Sequence, residues 1–438
     1  MIESSYNYYT EFGDSLLCLN GVTGKIFKVS KDEFNFLKRL MSDKTIQEKY
    51  PLLTFKLSQI HFLISSIDDE IEYLKSINSR VNNQEIWHLK LNPTQDCNFR
   101  CWYCYEKHVK GRMQDNIVDG IKLFVKRIFE EKKIKHFVLS WFGGEPLLYF
   151  NEIVYPISLY IQRLAQYYNV MFSNSITTNG FLLTKDVIRK CSEIGLNDFQ
   201  ITLDGDKKNH DKIRNQKGLS SFDRIIGNCI DLASIDSMKI LLRINYDTKS
   251  ILYDYSQILN CIPKNVRSNF VIQFQRIWQT YDKECNDDNV KESLKRNFMK
   301  LRNEGFAISA EINFNIFKGV VCYSDITNYI NINYDGRIYR CTANDYKPEN
   351  SLGFLGEDGI IRWTKKEYKD IGKRAFFDNS VCLKCSYLAI CGGPCFSKWF
   401  DFKTKGLKVC PLINHHPDID IATFIHEYYN KCLLQIKK

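Results

Sequence analysis

The sequence predicts an α/β fold in which six strand–helix repeats form a partial, TIM-like (β/α)6 barrel. Short apolar strands alternate with helical patterns between residues 86 and 314, as in parallel sheets with crossover helices. Three short strands followed by helices precede this region and predict a winged-helix-like module. A cysteine- and glycine-rich region follows it. We therefore expect three domains, at residues 1–85, 86–314 and 315–438.

The N-terminal module has three predicted strands, at Tyr6–Phe12, Leu16–Leu19 and Lys25–Val29, separated by glycine-containing turns. Ser30 is expected to cap a helix that has acidic residues in its first turn. A second amphipathic helix is expected from Ser58 to Leu74, where apolar residues recur at helical spacing.

The barrel region has six short apolar segments that predict its strands. They are Trp87–Leu91, Phe137–Trp141, Ser175–Thr178, Asp198–Leu203, Ile240–Ile244 and Phe270–Phe274. Helices fit between them, as at Asn116–Phe129 and Val154–Tyr167. The C-terminal region has predicted strands at Tyr329–Tyr334 and Arg337–Arg340, and a helix near Ile419–Leu434. In barrels of this kind, the chemistry takes place at the carboxyl ends of the strands.

The composition restricts the class of protein. The 438 residues carry a formal net charge of +10, which indicates a lysine-rich solvated surface or a surface that attracts an acidic peptide. No helix-turn-helix or zinc-finger pattern favours nucleic acid. No apolar run reaches the roughly 20 residues of a membrane span, and residues 1–14 do not resemble a signal peptide. We expect a cytoplasmic protein with no nucleic-acid or membrane partner.

Three cysteines, Cys97, Cys101 and Cys104, directly follow the first barrel strand. Their C-x3-C-x2-C spacing is expected by chance only about 0.02 times in a chain with 16 cysteines. A reducing cytosol favours metal ligation over disulfides. Three thiolates can hold an iron–sulfur cluster and leave one iron open to another ligand. The alternative is a zinc knuckle completed by His108.

This motif resembles that of the radical S-adenosylmethionine (SAM) superfamily. The resemblance implies that the three cysteines bind a [4Fe–4S] cluster and that SAM chelates its open iron and is cleaved to a 5′-deoxyadenosyl radical. Tyr103 matches the family's aromatic residue near the adenine. The string Gly143, Gly144, Glu145, Pro146 follows the second strand and resembles the GGEP motif, whose backbone and Glu receive the SAM amino group; by itself such a string is also typical of a turn.

Polar residues at the third, fourth and fifth barrel strands are further candidates for SAM contacts, because similar family positions contact its carboxylate and ribose. They are Thr178, Asn179, Thr202, Asp204, Arg243 and Asn245. Each could instead be a cap or turn residue. Asp206, His210 and Asp211 lie near the expected barrel mouth, but each could equally start a helix, and no catalytic acid or base is assigned.

A second array comprises seven cysteines, Cys322, Cys341, Cys382, Cys385, Cys391, Cys395 and Cys410. It resembles the seven-cysteine pattern of the SPASM domain, which holds two auxiliary [4Fe–4S] clusters. The resemblance assigns the first auxiliary cluster to Cys322, Cys341 and Cys395, and the second to Cys382, Cys385, Cys391 and Cys410. The first set has three ligands, because the stretch Asn313–Val321 contains no cysteine. Cys285 is the nearest upstream cysteine; otherwise an iron is open to a substrate thiolate or a backbone group. A zinc ribbon is the alternative for this array.

The N-terminal module resembles the peptide-recognition element of ribosomal-peptide maturases, where a leader peptide docks as an extra strand. Lys25–Val29 would receive the leader, and a helix from about Asp32 to Met41 would form the other wall. Lys25, Lys28 and Lys38 would steer acidic leader residues. The alternative is a generic packing domain.

Together, the resemblances imply a radical SAM/SPASM peptide maturase that forms an oxidative thioether or carbon–carbon crosslink in a ribosomally made peptide. Its cofactors would be SAM and three [4Fe–4S] clusters. Its partners would be a precursor peptide, with the leader at the N-terminal module, and a flavodoxin- or ferredoxin-type electron donor. The alternatives are sulfatase-maturase-type oxidation of a Cys or Ser in a partner protein, peptide epimerisation, and a zinc-dependent binding or scaffold protein.

Overall fold

A computed structural model gives the fold. It describes residues 1–80, 85–215, 220–280, 288–309, 314–315, 322–343, 346–365, 380–395, 410 and 420–436. The chain divides into two compact units, one formed by residues 1–82, 310–326 and 373–438 and the other by residues 83–309 and 327–372. We call them unit 1 and unit 2. Within the described ranges, every helix is too short or too polar to cross a membrane.

Unit 1 contains five short strands and seven helices in its described ranges. The strands are β1 (Ile2–Glu3), β2 (Asn7–Phe12), β3 (Ser15–Asn20), β4 (Ile26–Ser30) and β5 (Leu63–Ile64). The helices are α1 (Lys31–Ser42), α2 (Lys44–Lys49), α3 (Pro51–Gln59), α4 (Ile67–Arg80), α12 (Ser380–Leu383), α13 (Leu388–Cys391) and α14 (Ile421–Ile436). β2, β3 and β4 form an antiparallel sheet in that order, and β1 pairs with β5. The three predicted N-terminal strands and the C-terminal helix are thus present.

The start of α1 was predicted correctly. The Ser30 hydroxyl accepts a hydrogen bond from the Glu33 N–H, and the Glu33 carboxylate accepts one from the Ser30 N–H. This reciprocal capping box satisfies two N–H groups that would otherwise lack partners at the helix start. It also fixes the direction in which the chain leaves β4.

The predicted helix from Ser58 to Leu74 is wrong. α3 ends at Gln59, His61 adopts a left-handed backbone conformation with φ of 61°, and β5 follows before α4 begins. Leu63 and Ile64 are buried and pair with β1. The apolar spacing therefore came from a helix end, a short buried strand and a second helix, which periodicity alone cannot separate from one helix.

Unit 2 is built on an 11-stranded sheet. Its strands are β6 (Ile86–Leu91), β7 (His136–Trp141), β8 (Met171–Thr178), β9 (Leu196–Leu203), β10 (Lys239–Tyr246), β11 (Phe270–Arg276), β12 (Ala307–Ser309), β13 (Tyr329–Ile332), β14 (Arg337–Tyr339), β15 (Gly353–Leu355) and β16 (Ile361–Trp363). The order is β12-β11-β10-β9-β8-β7-β6-β13-β14-β15-β16. Neighbours from β12 to β13 run parallel, and the last three strands are antiparallel.

The large, mainly parallel sheet is the architecture of a partial barrel. All six predicted barrel strands are present, and β12 and β13 extend the parallel part on either side. The crossover and packing helices are α5 (Asp115–Glu131), α6 (Tyr155–Tyr167), α7 (Lys185–Glu193), α8 (Lys207–Ile213), α9 (Ser221–Ala233), α10 (Tyr255–Ile258) and α11 (Asp288–Asn303). The winged-helix-like and SPASM descriptions of the flanking regions remain predictions.

The two faces of the barrel sheet differ in chemistry. On the helix-covered face, Phe137 of β7 stacks on Phe129 of α5, with ring centroids 5.2 Å apart. On the other face, the His88 ring nitrogen and the Ser140 hydroxyl lie 2.9 Å apart, and the Ser140 and Ser175 hydroxyls lie 2.8 Å apart. Alternation along parallel strands thus gives an apolar outer face and a polar inner face.

Candidate active site

The loop after β6 carries the first three cysteines. Their thiols are half-buried, and Cys101 interacts electrostatically with both Cys97 and Cys104. The Cys104 N–H donates to the Cys101 carbonyl at 3.0 Å, and the Phe99 N–H points to the Cys97 sulfur at 3.4 Å. Burial raises the pKa of Cys97 to about 12 and that of Cys104 to about 11. Burial therefore favours the protonated form of these thiols.

The two glycines after β7 pack directly on the chain that leads to Cys97. The Gly144 N–H donates to the Thr94 carbonyl at 3.1 Å, and the Glu145 N–H donates to the Asp96 carbonyl at 2.8 Å. A Cβ on Gly144 would overlap the Asp96 carbonyl oxygen, and Gly143 has φ of 112°, which favours glycine. These glycines allow a close approach between two strand ends, in addition to any contact with SAM.

Glu145 is fully buried and its carboxylate has three donors within the protein. One oxygen accepts from the Leu147 N–H at 2.9 Å and the Thr178 hydroxyl at 2.7 Å, and the other accepts from the Asn179 N–H at 2.8 Å. Burial raises the pKa of Glu145, and these donors oppose that rise. Pro146 is buried and begins a short 3-10 helix. The carboxylate thus joins the ends of β7 and β8.

Asn179 joins the end of β8 to the cysteine loop. Its side-chain amide donates to the Asn98 side-chain oxygen at 2.7 Å and lies 3.7 Å from the Cys97 sulfur. Its own side-chain oxygen accepts from the Phe181 N–H at 3.0 Å. The predicted residues Cys97, Glu145, Thr178 and Asn179 therefore form one hydrogen-bonded group.

A second group surrounds Tyr103. The Tyr103 hydroxyl donates to the Asp204 carboxylate at 2.6 Å and accepts from Arg214 and Asn245, both at 3.0 Å. Arg214 also binds the other Asp204 oxygen at 2.5 Å, and both side chains of this ion pair are buried. Arg243 donates to the Asn245 side-chain oxygen at 3.2 Å. The structure thus brings together four of the predicted SAM-contact residues.

Thr202 stands beside Arg243 in the register of the parallel strands β9 and β10. The structure therefore places Thr202 next to the Tyr103 group through its strand neighbour. Burial lowers the pKa of Arg243, and the opposing charges of Tyr105, Tyr103 and Asp204 counteract that effect.

Arg214 was missed by sequence reasoning. It follows α8, four residues after the buried His210, so both side chains face the end of β9. Its positive charge also lowers the pKa of all three loop cysteines, although burial has the larger, opposite effect. The i, i+4 spacing of His210 and Arg214 after the end of β9 was the sequence signal that could have identified Arg214.

The three residues left without a role near the barrel mouth have structural contacts. Asp206 caps α8 by accepting from the Asn209 N–H at 2.9 Å. The His210 ring accepts from the Asp204 N–H at 3.2 Å and is fully buried. Asp211 accepts from the Ser221 hydroxyl at 3.0 Å. These contacts hold the segment after β9 in place, and none of them points to a catalytic base.

A cavity of about 260 Å³ opens beside the Tyr103 group. Trp102 of the cysteine loop, Asp204, Asn245, Asp247 and Ile277 are among the residues that line it. Apart from Trp102, these residues lie at the carboxyl ends of β9, β10 and β11. This is the end of a parallel barrel at which ligands bind.

The cysteines of the second array fall into two electrostatic groups within unit 1. Cys382 interacts with Cys385 and Cys410, and Cys391 interacts with all three of these. Cys322 interacts with Cys395. Cys341 belongs to unit 2, and Cys285 lies outside the described residues. Across the described ranges, no group of three or more His, Cys, Asp or Glu side chains is already arranged to hold a metal ion, so the ligand sets remain predictions.

Comparison with known proteins identifies the barrel. Residues 91–242 match the model of the Radical SAM superfamily. This chain contains a radical SAM domain. Domains of this superfamily use SAM and one [4Fe–4S] cluster as cofactors. The GTP 3′,8-cyclase of Campylobacter jejuni subsp. doylei is 34% identical over 125 residues, which are 28% of this chain and 36% of that protein. The match thus spans about a third of that relative's length.

Longer radical SAM relatives are more distant. The cysteine-type anaerobic sulfatase-maturating enzyme of Clostridium perfringens is 22% identical over 68% of this chain and 85% of its own. The structure of anSMEcpe with bound AdoMet matches with a TM-score of 0.58 at 18% identity, over 80% of this chain and 98% of that chain. The structure of Streptococcus suis SuiB bound to precursor peptide SuiA matches with a TM-score of 0.51 at 16% identity, over 94% of this chain and 100% of that chain. These two likenesses establish the fold.

The residues present fit the radical SAM cofactors. Cys97, Cys101 and Cys104 supply three soft thiolate donors from one loop, as a cubane cluster with an open iron requires. The buried Arg214 cation favours their deprotonated form. Gly143 and Gly144 have no side chains, so only their backbone lies against the chain that leads to Cys97.

Proposed function

We propose that this protein is a peptide maturase that forms an oxidative crosslink, a thioether or a carbon–carbon bond, in a ribosomally made precursor peptide. When bound, SAM and the cluster supply a 5′-deoxyadenosyl radical that removes a hydrogen atom from the substrate. A flavodoxin- or ferredoxin-type donor would supply the electron that cleaves SAM. As the crosslink forms, the substrate radical would lose a proton and give up one electron through the two auxiliary [4Fe–4S] clusters. The net change in the peptide is the loss of two hydrogens.

The observation that carries the proposal is the edge position of β4, which pairs with β3 alone among the described strands. The sheet order β2-β3-β4 leaves β2 and β4 at its edges. At the β2 edge, His426 of α14 hydrogen-bonds the Glu11 carbonyl at 2.7 Å, and Phe12 packs on His426 and Tyr429. Antiparallel pairing turns every second N–H and C=O of β4 away from β3. A leader peptide could add there as a fourth strand.

Charge near this edge favours an acidic leader. Lys25, just before β4, and Lys28, on β4, are both exposed. Lys38 is engaged differently from what was expected, because its ammonium binds Glu3 at 2.7 Å and lies 4.9 Å from the Tyr9 ring centroid. The proposal therefore assigns the steering of acidic residues to Lys25 and Lys28.

The grouping of thiols supports the auxiliary clusters. Cys382, Cys385, Cys391 and Cys410 interact with one another in unit 1, and this set is the one proposed for the second auxiliary cluster. Cys322 and Cys395, proposed for the first, also interact. Thiols gathered in this way suit thiolate-rich iron–sulfur sites.

Within the barrel, the chain's own residues would bind and orient SAM. The cysteine loop supplies the cluster ligands, and Tyr103 is held in one position by Asp204, Arg214 and Asn245. Arg243 would attract a carboxylate. SuiB, similar in fold, was solved with its precursor peptide SuiA, which favours a peptide as the substrate class.

The deciding experiment is mass spectrometry of the short peptide encoded nearest this gene, after anaerobic co-expression with the enzyme and an electron-supply system. We expect a loss of two hydrogens per event, and fragmentation that places a new bond between two residues. Cys97→Ala should abolish the change. An unchanged peptide mass with active wild-type enzyme would contradict the proposal.

The relative from Clostridium perfringens supports a second candidate, the oxidation of a Cys or Ser in a partner protein. In that case fragmentation would place the change on one residue of a larger protein, with no bond between residues. Epimerisation leaves the mass unchanged in ordinary water and adds one deuterium per event in heavy water. A colourless preparation without iron would favour the zinc-dependent scaffold instead.

A further inference from the structure

The N-terminal sheet packs directly on the loop that carries the second cysteine array. The Tyr8 hydroxyl of β2 donates to the Ser386 carbonyl at 2.5 Å. Its ring lies nearly parallel to the Tyr387 ring, with centroids 6.4 Å apart and an angle of 13°. Ser386 and Tyr387 stand between Cys385 and Cys391. One side chain of the N-terminal sheet thus binds the cysteine loop by both a hydrogen bond and ring contact.

The packing at this contact is tight. A Cβ on Gly21, in the turn after β3, would lie 2.7 Å from the Tyr8 ring, 2.8 Å from Ile390 and 3.3 Å from Ala389. Ala389 and Ile390 are almost completely buried. Only glycine allows the β3–β4 turn to approach α13 this closely.

The same contact fixes the backbone around the cysteines. The Tyr387 N–H points to the Cys385 sulfur at 3.4 Å, and the Cys391 N–H donates to the Tyr387 carbonyl at 2.7 Å. The Tyr387 ring also packs on the Phe314 ring, with centroids 5.8 Å apart. Tyr387 therefore contacts both Tyr8 and Phe314, and its backbone is bonded to both Cys385 and Cys391.

We propose that Tyr8 is a positioning residue, and that the N-terminal sheet holds the Cys385–Cys391 loop in the conformation in which its thiols can bind a cluster. The module would then have two tasks, with leader binding at β4 and support of the cysteine loop from β2. The inference rests on the proposed function only for the identity of the cluster. The contact itself stands on the geometry of unit 1.

The strand offers a matched control. Tyr9 follows Tyr8 and points to the opposite face, because side chains alternate along a strand. Its hydroxyl donates to the Glu3 carboxylate at 2.7 Å, and its ring packs on Phe34. Tyr9→Phe therefore removes a phenol hydrogen bond from the same strand without touching the cysteine loop.

The test is amide hydrogen exchange of the full chain, as isolated and after removal of iron, with iron per chain measured in parallel. Tyr8→Phe should speed exchange at Leu388, Ile390 and Cys391 by about fivefold, since one hydrogen bond contributes about 1 kcal/mol. It should also lower the iron retained after anaerobic reconstitution. Tyr9→Phe should leave exchange in this loop and iron retention unchanged.

The outcomes separate this inference from the proposed function. If amides in the Cys385–Cys391 loop exchange at the wild-type rate in both Tyr8→Phe and Tyr8→Ala, the positioning role is overturned. Equal acceleration in Tyr9→Phe would also overturn it, because the effect would then be general to the sheet. If wild type holds iron for only one cluster, the auxiliary clusters are refuted, while faster exchange in Tyr8→Phe alone still supports the role of Tyr8 in the loop.

Discussion

At the scale of single residues, the buried pair Arg214–Asp204 organises the site. Asp204 is 1% exposed and receives donors from both Arg214 and Tyr103. A buried charge without its partner is costly, since neither water nor another ion compensates it. The pair therefore fixes the position of Tyr103. The Arg214 charge lowers the pKa of the loop cysteines, whereas Asp204 raises that of Cys101.

Arg214→Met should destabilise unit 2 by about 3–5 kcal/mol, because it leaves the Asp204 carboxylate buried and unpaired. The thermal midpoint should fall by several degrees in differential scanning fluorimetry. Arg224→Met is the matched control, since Arg224 is exposed and its guanidinium lies over the Phe181 ring, 4.1 Å from the centroid. Equal midpoints for the two variants would show that the pair does not matter.

His210 should make stability depend on pH. Burial lowers the pKa of His210 from 6.5 to about 4. Between these values the unfolded chain binds a proton that the folded chain does not, so stability falls as pH decreases from about 6.5 to about 4, by up to about 1.4 kcal/mol per pH unit. In denaturant titrations of iron-free protein, the stability of His210→Gln should therefore depend less on pH between about 4 and 6.5 than that of wild type. An identical pH dependence in the two proteins would refute the role of His210.

Site residues could be predicted where a short motif fixes their spacing. Their hydrogen-bond partners could not be predicted where those partners are distant in sequence. Cys97 and Glu145 follow from short motifs. Two of the three donors to Glu145, by contrast, come from Thr178 and Asn179 at the end of β8, and Arg214 comes from the segment after α8. Such pairings depend on strand order and register, which the sequence does not contain in any local pattern.

At the scale of elements, the close packing of strand ends makes a sharp prediction for Gly144→Ala. The added Cβ would overlap the Gln95 and Asp96 carbonyl oxygens and displace the chain before Cys97. SAM binding to the reconstituted enzyme, measured by equilibrium dialysis, should weaken by at least about tenfold.

Gly227→Ala is the control for that substitution. Gly227 lies within α9, and a Cβ there meets no atom within 4 Å. Alanine in a helix is about 0.5–1 kcal/mol more favourable than glycine, so SAM affinity should be unchanged. Wild-type affinity in Gly144→Ala would mean that the two strand ends can separate without affecting the site.

The edge strand β4 permits a test of peptide addition. Asn20 N–H bonds the Lys25 carbonyl, so the alternating ladder turns the Lys28 N–H away from β3. Lys28→Pro removes that donor without breaking the ladder, as proline is tolerated at sheet edges.

Fluorescence anisotropy of a labelled leader peptide should show at least about tenfold weaker binding to Lys28→Pro. Lys28→Ala keeps the N–H and removes only the charge, so its loss should be smaller and should vanish at high salt. Equal affinities for wild type and the proline variant would rule out strand addition at β4.

Element prediction succeeded where one pattern covered a whole element. The six barrel strands are apolar runs bounded by helices, and the Ser30 cap precedes an acidic first turn. The failure between Ser58 and Leu74 arose because β5 has only two residues and its partner, β1, lies 60 residues away. A pairing of this kind leaves no period in the local sequence.

At the scale of the whole molecule, iron content tests the division of cysteines into sets. Three clusters require about twelve iron atoms per chain, four for each. Replacing Cys97, Cys101 and Cys104 by alanine should leave about eight, as elemental analysis of anaerobic preparations would show. Cys261→Ala should leave all twelve, since this exposed thiol belongs to none of the sets. About four in wild type would refute the auxiliary clusters.

The barrel and its family could be predicted from the sequence, because three motifs occur at successive strand ends in the expected order. The division of the chain segments between the two units could not be predicted. Residues 1–82 share unit 1 with residues 373–438, whereas residues 327–372 extend the sheet of unit 2. The pairing of β13 with β6 joins segments about 240 residues apart, and only the three-dimensional structure reveals it.

The interleaving of unit 1 has a consequence for synthesis on the ribosome. Residues 1–80 emerge first, but α14, which covers β2, emerges only after the entire barrel. Until then the β2 edge of the N-terminal sheet lacks its final neighbour, and exposed edges invite pairing with other chains. The nascent module must therefore be protected while hundreds of residues are translated, and slower translation of the barrel would lengthen its exposure.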